Sequence, residues 1–518
     1  MKKILLLTIV FCTLNLHAQT NKEYEEFLKN RSSELQQYTQ SRNEEFSKFL
    51  EERWKEFNAM QGMPVPSQPK PDIMPDAGNI KPTEPVKIEV EDIIIPESPK
   101  IEEKIQPSDP KNEEIIKQEE IQIDKKPISP NPEKPSQNRK EPEHKFEPTV
   151  TPAINKNVLN FSLYNTKLET PYVSTFNIRL KDIKEKSVSE FWDSLDRENL
   201  SEITGQLLKT KNEMQLNDWG FFNLCKETVN TIFKTNNSNE KTICGVYLLN
   251  QCGYEIKIAR FEDRLIYLFP AEQQIFQQAY ISLDNNKYYI FEHDKKSNQR
   301  YPSVFTYNFS FDKNASKFDL NINSPINIGN TNLNDKIANV NNEKLDITYS
   351  KNIIDYYKDY PRTELIVYFS AAVDESLSKS IKSQLGSMLQ GKTELESVNF
   401  ILKFINDNFK YKTDDDQFGY EKWFFCEENF YYPYGDCEDR SILFSWLVDE
   451  LLNLDVVLLD YPNHIATAVH FNENVSGDYI LVNGKKYIIC DPTYFNAKAG
   501  MCMPQYKNQK ATVISRKN

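Results

Sequence analysis

Cys437 is the residue of this sequence best placed for covalent chemistry. It stands before an apolar pattern of helical period over residues 442–452, and Asp436 and Asp439 have the spacing of a helix N-cap and its partner three residues later. The pattern predicts a helix with Cys437 in its first turn. There the free backbone N–H groups and the positive end of the helix dipole favour thiolate over thiol, so we expect an activated sulfur.

Histidine is the natural base for such a nucleophile, because it exchanges a proton near neutral pH. The chain has five histidines, and His464 and His470 follow Cys437 on one strand-like run. Six residues of strand separate the two rings by roughly 20 Å, so only one of them can reach the sulfur. Either histidine is a candidate on this argument.

A carboxylate that could orient the imidazole ends a later hairpin. Asn483 and Gly484 form the strongest short hairpin signal, and they separate a strand over residues 479–482 from a second one over 485–491. Asp491 ends that second strand, beside the predicted histidine strand. Cys437, a following histidine and Asp491 have the residue types of nucleophile, base and orienter.

These motifs resemble the transglutaminase-like superfamily, a relative of the papain-like folds, over about residues 395–500. The resemblance lies in a glycine, cysteine and aspartate at a helix start and in a later strand that ends in aspartate, proline and threonine: Gly435, Cys437, Asp439, Asp491, Pro492 and Thr493.

The resemblance implies a role for each residue of the predicted triad. Cys437 would be the nucleophile, His464 the base and Asp491 the orienter; His464 is preferred because the family histidine opens its strand. An oxyanion hole would combine the Cys437 backbone N–H with an upstream side chain, for which Gln417 and Trp423 are the candidates.

The predicted fold class is α+β. We expect a papain- or transglutaminase-like core in which the nucleophile helix packs on an antiparallel sheet. The favoured function is hydrolysis of amide or peptide bonds through a thioester, with a protein, peptide or cell-wall peptide as substrate. The alternatives are a crosslinking acyltransferase and a non-catalytic envelope scaffold with the same fold.

An internal similarity at an offset of 199 to 200 residues suggests a pseudo-duplicated core. Helix, break and strand patterns near residues 248–258 and 447–457 match, as do residues 287–292 and 486–491. In this alignment Glu292 stands opposite Asp491, Arg264 near His464 and Asn237 near Cys437. The first copy would therefore be degenerate.

The chain outside this region is organised by composition. Residues 1–19 have the pattern of a signal peptide, which predicts an exported protein, periplasmic or secreted. Residues 20–61 are predicted to form an amphipathic helix that could self-associate, and 62–154 to form a linker, because 18 of the 27 prolines lie there. An N-terminal lobe is expected over 155–350 and the catalytic domain over 351–518.

Charge and composition exclude several classes of function. A net charge of -13 without a basic patch argues against nucleic-acid binding. After residue 19 no apolar stretch is long enough to cross a bilayer. No metal-ligand cluster or phosphate-binding glycine loop is apparent in the sequence, so we expect no metal and no cofactor. Seven cysteines remain after Cys12, an odd number, so at least one is unpaired in a monomer.

Overall fold

The computed structural model describes residues 41, 43–66, 70, 73–78, 84–95, 158–171, 178–198, 200–233, 236–294, 300–308, 315–329 and 332–516. All of them belong to one of the two compact units of the chain, residues 1–96 together with 157–518. The predicted signal peptide and residues 97–156 of the predicted linker lie outside the described residues.

The described residues before position 96 form an N-terminal arm (43–66, 70, 73–78 and 84–95). Its helix α1 (43–51) is followed by strand β1 (Lys55–Asn58), so the helix prediction over 20–61 is wrong beyond residue 51. The linker prediction is also wrong for the residues around strand β2 (Val90–Ile94), which joins a sheet. Apolar residues such as Trp54 and Ile88 are buried and hold the arm on the folded body.

The N-terminal lobe begins with a two-stranded hairpin and continues with helices and a sheet. Its elements are β3 (Val158–Leu163), β4 (Thr166–Pro171), α2 (Glu185–Arg197), α3 (Ser201–Glu213), α4 (Asp218–Ile232), α5 (Ser238–Gln251), β5 (Lys257–Phe261), β6 (Arg264–Pro270), β7 (Tyr280–Leu283), β8 (Asn286–Phe291) and β9 (Ser303–Thr306).

A hairpin and short helices connect the two lobes and lead up to the candidate site. These elements are β10 (Leu333–Val340), β11 (Glu343–Ser350), α6 (Lys351–Tyr357), α7 (Leu365–Ser370), α8 (Glu375–Gln384), a 3-10 turn (Gly386–Leu389), α9 (Glu394–Asn408), β12 (Lys410–Tyr411), α10 (Asp414–Phe418), α11 (Glu428–Tyr431) and β13 (Tyr434–Gly435).

The C-terminal lobe consists of one long helix followed by two hairpins and a last strand. Its elements are α12 (Cys437–Leu452), β14 (Asp455–Tyr461), β15 (His464–His470), β16 (Tyr479–Val482), β17 (Lys485–Ile489), a 3-10 turn (Pro504–Tyr506) and β18 (Ala511–Ser515).

The two six-stranded sheets have the same strand order. One sheet runs β7-β8-β6-β5-β9-β1 and the other β16-β17-β15-β14-β18-β2. Helix α5 precedes the first hairpin of the first sheet, and helix α12 precedes the first hairpin of the second. Element by element the orders correspond, which supports the duplication hypothesis; the one difference in direction is that β1 pairs antiparallel with β9 whereas β2 pairs parallel with β18.

The arm contacts both edges of each sheet. Beyond β1, Met60 forms a bridge with Tyr280 in β7, and before β2, Lys87 forms one with Tyr479 in β16. Tyr280 and Tyr479 are again 199 residues apart. The arm therefore contacts corresponding edges of both sheets, antiparallel to its partners in the first sheet and parallel to them in the second.

A continuous apolar core joins the lobes into one unit. One hydrophobic cluster includes Phe222 of α4, Ile354 of α6 and Leu443 of α12, and α12 is buried on all sides along most of its length. The α+β class is confirmed by these layers of helices on curled, largely antiparallel sheets. Among the described helices, none has both the length and the apolar character that a bilayer span requires.

Candidate active site

Helix α12 begins at Cys437, as the sequence predicts. Asp436 occupies the N-cap position, and its backbone N–H donates to the carboxylate of Asp439 at 3.2 Å, the reciprocal half of a capping box. Gly435 lies against Asp439, where an added Cβ would meet that side chain at 3.1 Å. The glycine therefore allows the close approach that fixes the helix start.

The strands that carry the predicted base and orienter also form where the sequence places them. His464 opens β15 opposite Tyr461 of β14. In the second hairpin Asn483 and Gly484 both have positive φ, 50° and 79°, as the predicted turn requires. Strand β17 lies beside β15, so the chain after β17 arrives next to His464.

His464 and Asp491 form a buried pair. His464 Nε2 lies 2.7 Å from Asp491 Oδ2, and only 1% of the histidine and 3% of the aspartate are exposed. The other ring nitrogen, Nδ1, has no hydrogen-bond partner among the described residues. With the Nε2 proton donated to the carboxylate, Nδ1 presents a free lone pair.

The second carboxylate oxygen of Asp491 is fixed by the backbone. Oδ1 accepts the N–H groups of Thr493 at 2.9 Å and Tyr494 at 3.3 Å. The orientation of the imidazole is therefore set by a carboxylate that cannot itself rotate freely.

Two residues of α12 attach the helix to this pair. Ser441, one turn after Cys437, donates from Oγ to the carbonyl of Ile465 at 3.1 Å, next to His464. Arg440 is completely buried and donates from Nη2 at 2.8 Å and from Nε at 3.2 Å to the carbonyl of Pro492. Helix α12 is thus bonded to the chain beside both the histidine and the aspartate.

Tyr506 covers the histidine. Its ring stacks on His464 with centroids 5.1 Å apart and an angle of 15° between the planes. Burial is the largest cause that raises the pKa of the Tyr506 phenol. The ring is therefore one of the groups that cover His464.

No family model, curated protein or solved structure matches this chain.

The expectation of an activated thiolate is wrong for this closed arrangement. Cys437 is fully buried, and its Sγ donates to Oε2 of Glu438 at 2.8 Å. Burial, followed by the charge of Glu438, raises the pKa of the Cys437 thiol well above its ordinary value, although Lys70 opposes this. Desolvation and an adjacent carboxylate outweigh the helix dipole, so the resting sulfur is a thiol.

A buried lysine from the arm lies among the acids around Cys437. Lys70 Nζ lies 2.6 Å from Asp436, 2.7 Å from Glu421 and 2.8 Å from Glu438. Burial alone would lower the pKa of Lys70, but the charges of Glu438 and Asp436 raise it well above its ordinary value. The ammonium group is therefore permanently charged.

Among the described residues, the side chains whose ligand atoms are spaced closely enough for a metal ion include the acids around Lys70. Asp436, Cys437 and Glu438 have ligand atoms within 4.8 Å of one another, and so do Asp414, Glu421 and Asp436. Asp436 belongs to both groups and is bonded to the Lys70 ammonium group. In this structure the positive charge beside these carboxylates is the Lys70 ammonium group.

The alternative base and the oxyanion candidates have other contacts. His470 Nδ1 is 2.9 Å from the carbonyl of Lys486, and no contact joins its ring to Asp491 in the described structure. Gln417 donates to the carbonyl of Tyr434 at 3.3 Å, and Trp423 donates to Glu421 at 3.1 Å. Both donors predicted for an oxyanion hole are thus engaged elsewhere.

The site is closed to solvent. A cleft of about 760 Å³ lies nearby, lined among others by Asn399, Asn406 and Phe495, but it includes none of Cys437, His464 and Asp491. Access to the sulfur therefore requires movement of covering groups such as Tyr506 or the arm.

The sequence-based prediction of the site did not include Arg440 and Lys70, the residues that assemble and close it. Arg440 carried a signal, since a charged residue in the first turn of a helix with an all-round apolar pattern must find buried partners. Lys70 carried none, because it lies more than 350 residues from its partners and in a segment of linker composition. The seven cysteines described, Cys437 among them, are all free.

Proposed function

We propose that this protein is an exported cysteine-dependent hydrolase of amide or peptide bonds, with a transglutaminase-like core in its C-terminal lobe. The observation that carries the proposal is the buried His464–Asp491 pair with an unpartnered Nδ1, attached to the helix that starts at Cys437. A satisfied core histidine would have partners on both ring nitrogens. His293 of the N-terminal lobe does, with contacts of 2.7 Å to Tyr267 and 2.9 Å to Asn230.

The proposed fold assignment is supported by the arrangement of the elements. A helix with cysteine at its first position packs on a curled sheet, the histidine opens the second strand of the hairpin that follows, and the aspartate comes after the strand beside it. This is the order and placement that the resemblance implies for Cys437, His464 and Asp491. The N-terminal lobe, with the same strand order, would be the degenerate copy.

The proposed reaction uses the three side chains in sequence. When the Cys437 thiol leaves Glu438 and passes its proton to Nδ1 of His464, the thiolate attacks the substrate carbonyl carbon. The tetrahedral intermediate collapses as the imidazolium returns the proton to the leaving amine, which breaks the C–N bond and leaves a thioester. Water, deprotonated by His464, then releases the carboxylic acid and the thiol. Asp491 holds the ring and stabilises its charged form throughout.

An amine that replaces water in the last step would make the protein a crosslinking acyltransferase. The same three residues serve both outcomes, and the difference lies in whether water or amine reaches the thioester. A non-catalytic envelope scaffold is the remaining alternative. Its support is the closed site, in which Cys437 is buried as a thiol.

The export part of the proposal rests on the sequence of residues 1–19. A periplasmic or secreted location makes envelope peptides and secreted proteins the substrates within reach. Self-association through the N-terminal helix is left out of the proposal, because Phe46 and Leu50 of α1 are buried in the core of the same chain. Fractionation of the producing cell with detection of the mature N-terminus tests this part separately.

The reaction is tested by incubating the protein with a mixture of glutamine- and asparagine-containing peptides and cell-wall peptides. The incubation is done with and without a fluorescent primary amine. Hydrolysis predicts released ammonia or new carboxyl termini without incorporation of the amine, and acyl transfer predicts incorporation. Cys437→Ser should abolish either product. Product formation that persists in Cys437→Ser, or an absence of any product together with an absence of covalent adducts at Cys437, would favour the scaffold.

A further inference from the structure

The Lys70 side chain occupies a pocket made almost entirely of carboxylates. Its ammonium group has three carboxylate partners within 2.8 Å, Glu421, Asp436 and Glu438, and only 4% of the side chain is exposed. Three acceptors around one ammonium group match its three N–H donors. The pocket therefore fits a primary ammonium group in both number and geometry of bonds.

The pocket holds more acid than one lysine can neutralise. Burial, and then the charge of Glu438, raises the pKa of Asp436 to about 7, and burial with the charge of Asp436 raises the pKa of Asp414 to about 9. The Oδ1 atom of Asp436, a completely buried residue, has no hydrogen-bond partner among the residues described. This buried oxygen is an acceptor that a further donor group could satisfy.

Glu438 connects the pocket to the nucleophile. One of its oxygens binds the Lys70 ammonium group at 2.8 Å, and the other accepts the Cys437 thiol at 2.8 Å. An ammonium group in the pocket is consequently separated from the sulfur by a single carboxylate. A substrate that placed its own ammonium group there would hold that group one carboxylate away from Cys437.

Lys70 does not belong to the lobe that forms the pocket. It reaches the pocket from the arm, whose next described residues bond to the loop after Asp491: Ala77 N–H donates to the Phe495 carbonyl at 2.8 Å, and Phe495 N–H donates to Pro75 at 2.8 Å. Farther on, β2 pairs with β18. The lysine is thus an occupant delivered by a separate segment across the closed site.

We propose that the pocket formed by Glu421, Asp436 and Glu438 is a subsite for a primary ammonium group of the substrate, and that Lys70 of the arm occupies it in the closed form. Its use in substrate recognition rests on the proposed function, whereas its affinity for ammonium groups does not. In the open form the arm withdraws Lys70, and the side chain of a lysine or another diamino acid takes its place beside Cys437.

The test is chemical rescue of Lys70→Ala in the full chain. This substitution removes a propylammonium group, so n-propylammonium chloride should bind the vacated pocket and raise the midpoint of thermal unfolding by at least about 3 °C. Sodium chloride at equal concentration and the neutral analogue 1-propanol should leave the midpoint unchanged. Lys87→Ala is the matched control, because Lys87 lies on the same arm with 47% of its side chain exposed; it and the wild type should show no response.

Further variants separate the outcomes. In Lys70→Ala combined with Glu421→Gln the response to propylammonium should fall severalfold, whereas Lys70→Ala combined with Cys437→Ser should keep it, since the pocket needs no reaction. If Lys70→Ala does not accumulate as folded protein, Lys70→Met retains the apolar stem and should respond to ammonium chloride instead.

Equal responses of Lys70→Ala, Lys87→Ala and wild type would overturn the subsite. So would rescue by Ca²⁺ without rescue by propylammonium, which would make the pocket a metal site. A specific response to propylammonium in a protein that forms no product and no adduct at Cys437 would keep the subsite and remove the proposed hydrolase.

Discussion

The two lobes have the same sheet and differ in the pair of side chains at the start of its second strand. In the C-terminal lobe His464 bonds to Asp491, and at the corresponding place in the N-terminal lobe Arg264 Nη1 bonds to both oxygens of Glu292, at 2.9 and 3.0 Å. A guanidinium keeps its proton and cannot act as a base, whereas an imidazole can. The shared frame fixes a geometry in which an N–H donor faces a carboxylate, and the residue type decides whether the donor can also act as a base.

The starts of the two helices show the same relation. Cys437 is the first residue of α12, and Ser238 is the first residue of α5, 199 positions earlier. The sequence alignment places Asn237 near Cys437; the helix starts show that Ser238 corresponds to Cys437 and that Asn237, the N-cap of α5, corresponds to Asp436. Ser238 donates to Asp294. The N-terminal lobe thus has a hydroxyl at the position of Cys437 and a guanidinium at the position of His464.

The largest expected difference between the lobes is in activity. Asp491→Asn should lower the rate of Cys437 acylation by about 10² to 10⁴, because the amide no longer fixes the imidazole tautomer or stabilises its charged form. Glu292→Gln should leave that rate within about twofold, because this pair contacts no nucleophile. Rates are followed by mass spectrometry of the modified peptide.

Asp491→Asn and Glu292→Gln together test whether the two lobes differ in function. Equal losses in Asp491→Asn and Glu292→Gln would mean that both pairs act through stability, and the distinction between an active and a degenerate lobe would fall. Unfolding midpoints of the two proteins, measured in parallel, identify a loss that comes from unfolding.

A second difference concerns the residue three positions into each helix. Arg440 is buried and bonded to backbone carbonyls, whereas its counterpart Lys241 is partly exposed. Arg440→Met should lower the free energy of unfolding by about 3 kcal/mol, because carbonyls such as that of Pro492 lose their donors. Lys241→Met should change it by no more than about 0.5 kcal/mol. Denaturant titrations of both variants measure this difference, and equal values would contradict the role assigned to Arg440.

A third expected difference is in the pH dependence of stability. Burial raises the pKa of Glu427 near α11 to about 7, so the folded state holds this proton more tightly than the unfolded state. Its contribution, up to about 3 kcal/mol, is present at low pH and is lost as pH rises from about 4.5 through 7. In the N-terminal lobe, burial followed by Lys226 lowers the pKa of His293 to about 3. That contribution has the opposite sign: it is complete above pH 6.5 and is lost as pH falls toward 3.

The variants Glu427→Gln and His293→Gln test the two contributions to the pH dependence of stability separately. The first variant should reduce the loss of stability between pH 4.5 and 7, and the second should reduce the gain of stability between pH 3 and 6.5. Hydrogen exchange followed on peptides of each lobe shows which lobe responds. A slope that neither variant changes would assign the pH dependence to other groups.

Much of the fold around the site could be predicted from the sequence. The start of α12, the histidine strand and the hairpin at Asn483 and Gly484 depend on local signals of capping, alternation and turn formation, and all three are confirmed. The repeat was visible for the same reason, because each copy preserves those local patterns. Local rules gave the elements and their order.

The closed state of the site could not be predicted, because it depends on contacts between distant segments. Lys70 and Glu438 lie more than 350 residues apart in the chain, and no periodicity connects them. The strand β2 lies in a stretch of linker composition, and it pairs only because β18 offers an open edge. The prediction of a thiolate at Cys437 was wrong for the same reason. The helix dipole is a local effect, whereas the burial of the sulfur depends on tertiary packing and the Glu438 carboxylate lies beside it.

The account depends most on Cys437 reacting in concert with His464 and Asp491. The most direct measurement is the acetyl adduct formed with p-nitrophenyl acetate, located by peptide mass spectrometry over time in the wild type, Cys437→Ser and His464→Ala. We predict an adduct at Cys437 that forms and decays in the wild type, is absent in Cys437→Ser, and forms at least about 100-fold more slowly in His464→Ala. Adducts spread over other cysteines and lysines, with equal rates in all three proteins, would contradict the account.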